Sequence, residues 1–460
     1  MSTIVSISTA PGVGGIGIIR MSGENTFNVL DKIFAPKNPE KIESIQGYTI
    51  KYGHIIDGEK IIDEVLVSYF KAPKSYTTEN MCEINSHGGI VVMRKILDIC
   101  LKNGADLAEP GEFTKRAFLG GRIDLSQAES IIDIINAKSD REAKEGIKQL
   151  EGFLSERINE IKNDLLEIMT NIEVSIDYPE YDTPDITNND ILKTIENTRK
   201  KLYRLKKSFD NGKIIKQGIK TVIIGKPNAG KSSLLNAILK EDRAIVTEIE
   251  GTTRDTIEEF VNINGIPFNL IDTAGIREAK DEVEMIGIEK SKKLANDADL
   301  IIAIFDSSKD FSKEDLEILN IAKNKKSIII LNKIDLKQII THENPKLESF
   351  KENIINMSTK NKIGLEELFK KITALFNLSE INLDNDIVIT NERHKNLISK
   401  AIENLNKAEE ILKQGMPVDI IAISLKDVLS NLGAITGEEA GEEIINEIFA
   451  RFCLGKWEIM

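Results

Sequence analysis

Gly225-Lys226-Pro227-Asn228-Ala229-Gly230-Lys231-Ser232 has the spacing of a phosphate-binding loop, and Asn332-Lys333-Ile334-Asp335 that of a guanine reader. A β-branched run from Thr221 to Ile224 precedes the loop as a buried strand, and Ser233 to Leu239 follows as a helix. Gly225 and Gly230 let backbone amides, with those of Ala229 and Ser233, close around phosphate oxygens at the helix N-terminus. Lys231 reaches the β- and γ-phosphates, and Ser232 offers a hydroxyl to magnesium. A second apolar strand, Phe268 to Ile271, leads into Asp272-Thr273-Ala274-Gly275. Asp272 can hold magnesium through water, and the Gly275 amide can meet the γ-phosphate. Between them runs Thr247-Glu248-Ile249-Glu250-Gly251-Thr252-Thr253, with Thr253 as the second magnesium hydroxyl. Asp335 can accept two hydrogen bonds from guanine N1 and N2, a donor pair that adenine lacks. Lys333 can lie along the base, and Ser358-Thr359-Lys360 puts a backbone amide where guanine O6 would be. In this order the motifs predict a GTP-hydrolysing unit at the middle of the chain.

Many small GTPases place a glutamine directly after Asp-x-x-Gly to orient the attacking water. Here that position is Ile276, which cannot do so. Another polar group is required, and Arg277, Asp281, Glu282 and Glu284 are nearest.

The 460 residues bound the chain to two to four domains. No run of about eighteen apolar residues predicts a membrane span. The start, Met1-Ser2-Thr3-Ile4-Val5, lacks the basic and apolar regions of a secretory signal, so a cytoplasmic protein is expected. Cys82, Cys100 and Cys453 are too few and scattered for a disulfide framework or zinc site. A net charge of −13 argues against nucleic-acid binding over the whole surface. Any RNA contact must be local or shared with a partner. The basic stretch Lys200 to Lys220 is the best local candidate, and a solvated helix face with its linker is the plainer reading of it.

The expected fold is multidomain, α/β plus α. Residues 1–120 read as an α+β domain, with strands over Thr3 to Ser8, Gly15 to Arg20, Tyr48 to Ile56 and Ile61 to Phe70 and a helix over His87 to Leu101. From Asp124 the apolar period becomes helical. Ser126-Gln127-Ala128-Glu129 reads as a capping box, and long helices continue to about Asp177. Pro179 and Pro184 break the chain before a basic helix from about Asn189 to Phe209. Residues 216–377 alternate strand and helix signals as a doubly wound GTPase unit. The chain is helical again from Asn391, with Thr436-Gly437-Glu438-Glu439 as a second capping box and a helix ending near Gly455. The simplest organisation is one helical domain, 121–215 and 378–460, split by the inserted GTPase unit.

Taken with its two ends, the chain resembles the MnmE (TrmE) family of tRNA modification GTPases along essentially its full length. The resemblance rests on Pro11-Gly12-Val13-Gly14-Gly15 with Arg20, on Ser75-Tyr76-Thr77 through Gly89, and on Pro110-Gly111-Glu112-Phe113-Thr114-Lys115-Arg116-Ala117-Phe118. It also rests on the GTPase motifs and on Phe452-Cys453-Leu454-Gly455-Lys456, similar to the family's C-terminal Cys-x-Gly-Lys signature. The resemblance implies a homodimer formed by a folate-binding N-terminal domain. It further implies a heterotetrameric complex with the flavoprotein MnmG (GidA), and tRNA as substrate. With a tetrahydrofolate derivative (5,10-methylene or 5-formyl), such proteins install a carboxymethylaminomethyl or aminomethyl group at carbon 5 of the wobble uridine. By motif match, Arg20, Glu83, Arg122 and Lys456 fall on the folate site. Asn228, with Thr247, Ile249 and Thr252, falls on a potassium site that substitutes for an arginine finger. Glu284 falls on the residue that positions the catalytic water, and Cys453 on the signature cysteine.

Three departures stand out. Arg122 replaces a common Lys, Thr359 replaces the usual Ala, and Trp457 to Met460 extend past the signature Lys456. The competing readings are a ribosome-assembly or RNA-binding GTPase acting as a timer and a non-catalytic GTP-sensing scaffold. An assembly factor needs neither a folate-type domain nor the Cys453 signature, and a dispensable Glu284 would favour the scaffold.

Overall fold

The computed structural model describes residues 2–10, 12–39, 46–177, 188–239, 259–263, 266–271, 294–376 and 388–452. They form two compact units: Met1–Ile132 with Gln149–Glu160 and Leu429–Met460, and Asp133–Lys148 with Ile161–Val428. Among the described residues no helix is long and apolar enough to cross a membrane.

The first unit is built on seven strands: β1 (Ile4–Ile7), β2 (Gly14–Ser22), β3 (Phe34–Pro36), β4 (Thr49–Asp57), β5 (Lys60–Phe70), β6 (Met81–Gly88) and β7 (Asp106–Leu107). They lie in the order β3-β4-β5-β6-β2-β1-β7, antiparallel except for β1 with β7. Period-two alternation sorts the faces. Val65, Val67, Tyr69, Cys82 and Ile84 form one core with the buried side of helices Thr26–Ile33 and Ile90–Lys102. Arg20, Glu83, Tyr52 and Leu66 fall on the other face. Helix Glu112–Leu119 packs with helix Glu442–Ala450 through Ala117, Phe118, Phe449 and Phe452. Gly111 permits that approach: its φ is +67°, and a Cβ there would meet the Phe449 carbonyl oxygen at 2.6 Å.

Four local expectations are corrected. The helix expected over His87 to Leu101 begins at Ile90, because Met81–Gly88 is a strand pairing with both β2 and β5. The first capping box sits two residues earlier. The Asp124 and Gln127 side chains each accept from the other's backbone N–H, both at 2.9 Å, while Ser126 is buried inside the helix. The second box is a helix end. Thr436 closes helix Val418–Thr436, Gly437 turns at φ +93°, and the N–H groups of Gly437 and Glu438 both donate to the Gly433 carbonyl. The next helix stops at Ala450, not near Gly455.

The second unit carries six strands: β8 (Ile219–Ile224), β9 (Glu259–Ile263), β10 (Ile266–Leu270), β11 (Leu300–Asp306), β12 (Ser327–Asn332) and β13 (Ile354–Asn356). Their order is β13-β12-β11-β8-β10-β9, parallel except for β9 against β10. Strands β8, β11 and β12 read as nearly continuous apolar runs because both faces are covered. Ile302, Ile304, Ile328 and Ile330 pack with helices Lys231–Leu239 and Leu365–Leu375. Ile301, Ala303, Phe305, Ile329 and Leu331 pack with helix Lys313–Lys323 on the other side. This is the doubly wound arrangement.

Helix Asn188–Gln217 leads directly into β8 and runs eight residues beyond the expected end at Phe209. Ile191, Ile195, Leu202, Leu205 and Phe209 bury its inner stripe; burial of such side chains contributes roughly 1.5–3 kcal/mol each. Helix Glu392–Lys413, capped by Asn391, packs against it, and Arg199 donates to Glu409 across the pair. Gly212 has no room for a side chain, since a Cβ would sit 2.0 Å from the Ile389 carbonyl oxygen.

Candidate nucleotide and folate-type sites

Strand β8 lies between β10 and β11, so the chain reverses its direction of growth across the sheet at β8. Ligands of doubly wound folds bind outside the carboxyl ends of the strands at such a switch point. The phosphate-loop motif, 225–232, begins there. Asn228 adopts φ +62° and Gly230 φ +112°. A Cβ on Gly230 would meet the Asn332 amide nitrogen at 2.1 Å, and one on Gly225 the Ile304 carbonyl oxygen at 2.5 Å.

Lys231 opens the following helix and folds its ammonium back over its own loop, donating to the Gly225 carbonyl at 2.6 Å and the Lys226 carbonyl at 2.9 Å. Burial holds its pKa below the ordinary lysine value. A phosphate oxygen arriving at this cation would relieve that penalty. Ser232 and Ser233 are exposed in the first helical turn.

Asn332 ends β12 almost fully buried and joins two loops. Its amide nitrogen donates to the Ala229 carbonyl at 2.8 Å, and its amide oxygen accepts from the Thr359 N–H at 3.1 Å. The phosphate loop and the 358–360 loop are thereby tied through one side chain. Lys333 sits at φ +66°, a backbone state a non-glycine residue holds only when its surroundings impose it. Its ammonium pairs with Asp306 at 2.7 Å. Asp335 accepts from the Ser358 hydroxyl at 2.7 Å, and that bond keeps its carboxyl below the usual aspartate range. Lys360 is exposed on the same loop.

Asp306 was not singled out in the sequence. Burial raises its pKa, but the bonds from Lys333 and Ser308 outweigh that and leave it lowered. The signal was present: a carboxylate closing an apolar run at the carboxyl edge that carries the phosphate loop.

In the first unit Arg20 and Glu83 are directly opposed on β2 and β6. Arg20 Nε and Nη2 both donate to Glu83 Oε1, at 2.9 and 2.7 Å. Tyr76 lies between two guanidinium groups, with Arg20 5.2 Å and Arg122 4.6 Å from its ring centroid. Arg122 also donates to the Tyr76 carbonyl at 3.0 Å, and the Tyr76 hydroxyl bonds Thr114 at 2.9 Å. The ring of Phe113 is 5.6 Å from Arg20. Two of the four expected folate residues, Arg20 and Arg122, therefore meet at Tyr76, and Glu83 joins them through Arg20.

Thr247, Glu248, Ile249, Glu250, Gly251, Thr252, Thr253, Asp272, Thr273, Ala274, Gly275, Arg277 and Glu284 lie outside the described residues. So do Asp281, Glu282, Cys453 and Lys456.

A phosphate loop and an Asn-Lys-x-Asp reader, brought to one edge of a doubly wound sheet and joined by Asn332, define a guanine-nucleotide-binding P-loop unit. The family description "GTP-binding protein TrmE N-terminus" matches residues 3–122, and "MnmE helical domain" matches residues 125–453. The tRNA modification GTPase MnmE of Acetivibrio thermocellus is 49% identical over 461 residues, covering 99% of each chain. That of Clostridioides difficile is 49% identical over 456 residues with the same coverage. The chain therefore belongs to the MnmE (TrmE) family of tRNA modification GTPases. Among solved structures, the G domain of the T. maritima FeoB iron transporter is 28% identical over 34% of this chain and 98% of that one, with a TM-score of 0.26. That superposition is too loose to carry weight.

Proposed function

We propose that this chain hydrolyses GTP and uses the cycle in tRNA modification. With a flavoprotein partner of the MnmG (GidA) type, it adds a carboxymethylaminomethyl or aminomethyl group at carbon 5 of the wobble uridine. A tetrahydrofolate derivative, 5,10-methylene or 5-formyl, supplies the one-carbon unit. The observation that carries this reading is a likeness spanning 99% of both chains to tRNA modification GTPases.

Asp335 reads the guanine edge with its carboxylate, held ionised by Ser358. Lys333 lies along the base, steadied by Asp306. Lys231 turns from its loop carbonyls to the β- and γ-phosphates. The Ser232 hydroxyl and Asn228 amide oxygen are hard oxygen donors, a set that suits magnesium and potassium. When bound, these ions neutralise charge on the phosphates. Thr253 completes the magnesium set, and Thr247, Ile249 and Thr252 the potassium loop. Glu284 positions the attacking water, the role that Ile276 cannot fill.

Arg20 and Arg122 suit the carboxylates of a folate, Glu83 suits the donors of a pterin, and Tyr76 offers a ring to stack on it. Lys456 joins them by motif. Homodimer formation by the N-terminal domain is supported by apolar side chains on the outer face of its sheet: Ile50 and Leu66 are 63% and 47% exposed.

The test is the GTP hydrolysis rate in potassium against sodium. Potassium should exceed sodium clearly, N228A should remove the preference, and E284A should bind GTP but turn over about a hundredfold more slowly. Equal rates in both salts for the unaltered protein would remove the potassium reading.

A further inference from the structure

We infer that the solvent stripe of helix Asn188–Gln217 is a binding site for the phosphodiester backbone of RNA. This rests on the reading of tRNA as substrate and assigns it a place on the chain. The inner stripe of the helix is Ile191, Ile195, Thr198, Leu202, Leu205 and Phe209, all buried. At 100° per residue the opposite side carries Lys193, Lys200, Arg204 and Lys207, all exposed. Asn197, exposed, and Asn211, half-buried, lie on the same line, and Tyr203, 50% exposed, stands beside it.

Two observations separate these four cations from an ordinary solvated face. Of the five other Lys and Arg residues of the helix, three are paired: Arg199 with Glu409, Lys201 with Asp164 and Lys216 with Asp133, while Lys206 and Lys213 lie off the stripe. Among the described residues none of Lys193, Lys200, Arg204 and Lys207 has an ion pair, although Glu196 and Asp210 flank the stripe on their own helix. The cluster also runs against a chain whose net charge is −13. A polyanion is the chemistry that answers several uncompensated positive charges in a row. From Lys193 to Lys207 the row spans about 21 Å at 1.5 Å per residue, enough to meet several successive phosphates. Tyr203 adds a ring and a hydroxyl beside them, suited to a sugar or an unpaired base.

The experiment titrates full-length protein with its cellular tRNA over a range of potassium chloride. Its variants are K200Q/R204Q/K207Q and a control of equal charge loss, K309Q/K313Q/K323Q, on exposed positions elsewhere in the same unit. Glutamine keeps helix propensity, and circular dichroism verifies the fold. The stripe variant should bind tRNA at least about tenfold more weakly. The slope of log affinity against log salt should flatten by about 2, as expected for three lost phosphate contacts. The control should bind as the unaltered protein does, and GTP hydrolysis should stay unchanged in both variants. An unchanged slope for the stripe variant overturns the inference, and so does a loss confined to flavoprotein binding. Equal losses in stripe and control variants also overturn it, by reducing the effect to net charge. If the unaltered protein binds no tRNA, the functional reading fails with it, an outcome distinct from the others.

Discussion

The nucleotide site and the Arg20 cluster solve the same problem, holding charge ready for an anionic ligand, by different means. At the nucleotide site the frame is backbone. Asn228, Gly230 and Lys333 all sit at positive φ, and Asn332 ties two loops through their main chains. In the cluster the frame is side chain on side chain: an ion pair between neighbouring strands, and a tyrosine ring between two guanidinium groups. A backbone frame tolerates few substitutions and leaves a contiguous mark in the sequence. A side-chain frame can be loosened one residue at a time, and its parts lie far apart in the chain.

That contrast gives an order of expected effects. The largest should follow G230A, where a Cβ would sit 2.1 Å from the Asn332 amide nitrogen at a φ of +112°. Nucleotide affinity in a fluorescent GTP titration should fall more than about a hundredfold, while folate binding is untouched. Normal GTP binding would show that the loop is not rigid. Next comes D335N, which loses two charge-assisted bonds to guanine; GTP affinity should drop about a hundredfold. Xanthosine triphosphate should bind more tightly than GTP to this variant, and competition between the two reads the switch directly.

R20Q should be gentler. It weakens one cation against Tyr76 and the pair with Glu83, and folate affinity by calorimetry should fall about tenfold with GTP turnover preserved. A loss in both activities would deny that the two frames are independent.

The smallest effect belongs to Glu142. Burial pushes its carboxyl up to about 7, against the opposing pull of the Lys138 N–H. Because the folded pKa is raised, the protonated form favours folding. The contribution is full below the unfolded value near 4.5 and is lost as pH rises through about 7. E142Q cannot ionise, so its melting temperature should exceed the parent's by about 2–4 °C at pH 8 and by less at pH 5. A constant gap would mean that Glu142 ionises freely.

The same contrast explains what the sequence disclosed. The nucleotide site was legible because each motif is a short run at a strand end, and the sheet brings those ends to one edge. Strands β8 and β10 of the doubly wound unit were legible as apolar runs at Thr221 to Ile224 and Phe268 to Ile271. The folate-type cluster was reachable only through resemblance, since Arg20, Glu83 and Arg122 come from separate segments and read singly as surface charges. Capping signals misled where two residues could serve. Asp124 took the cap that Ser126 also offered, and Thr436 ended a helix because Gly437 supplied the left-handed turn. Strand β6 was passed over because Gly88 and Gly89 drew the helix start towards His87, although Cys82, Ile84 and Ser86 alternate inward.

The measurement that tests the account most directly is nucleoside mass spectrometry of tRNA from cells whose sole copy of this chain is D335N or R20Q. Two independent sites serving one product predict that each variant, alone, lowers the fraction of wobble uridine carrying the carbon-5 group, D335N the more. Full modification in cells carrying either variant would contradict it.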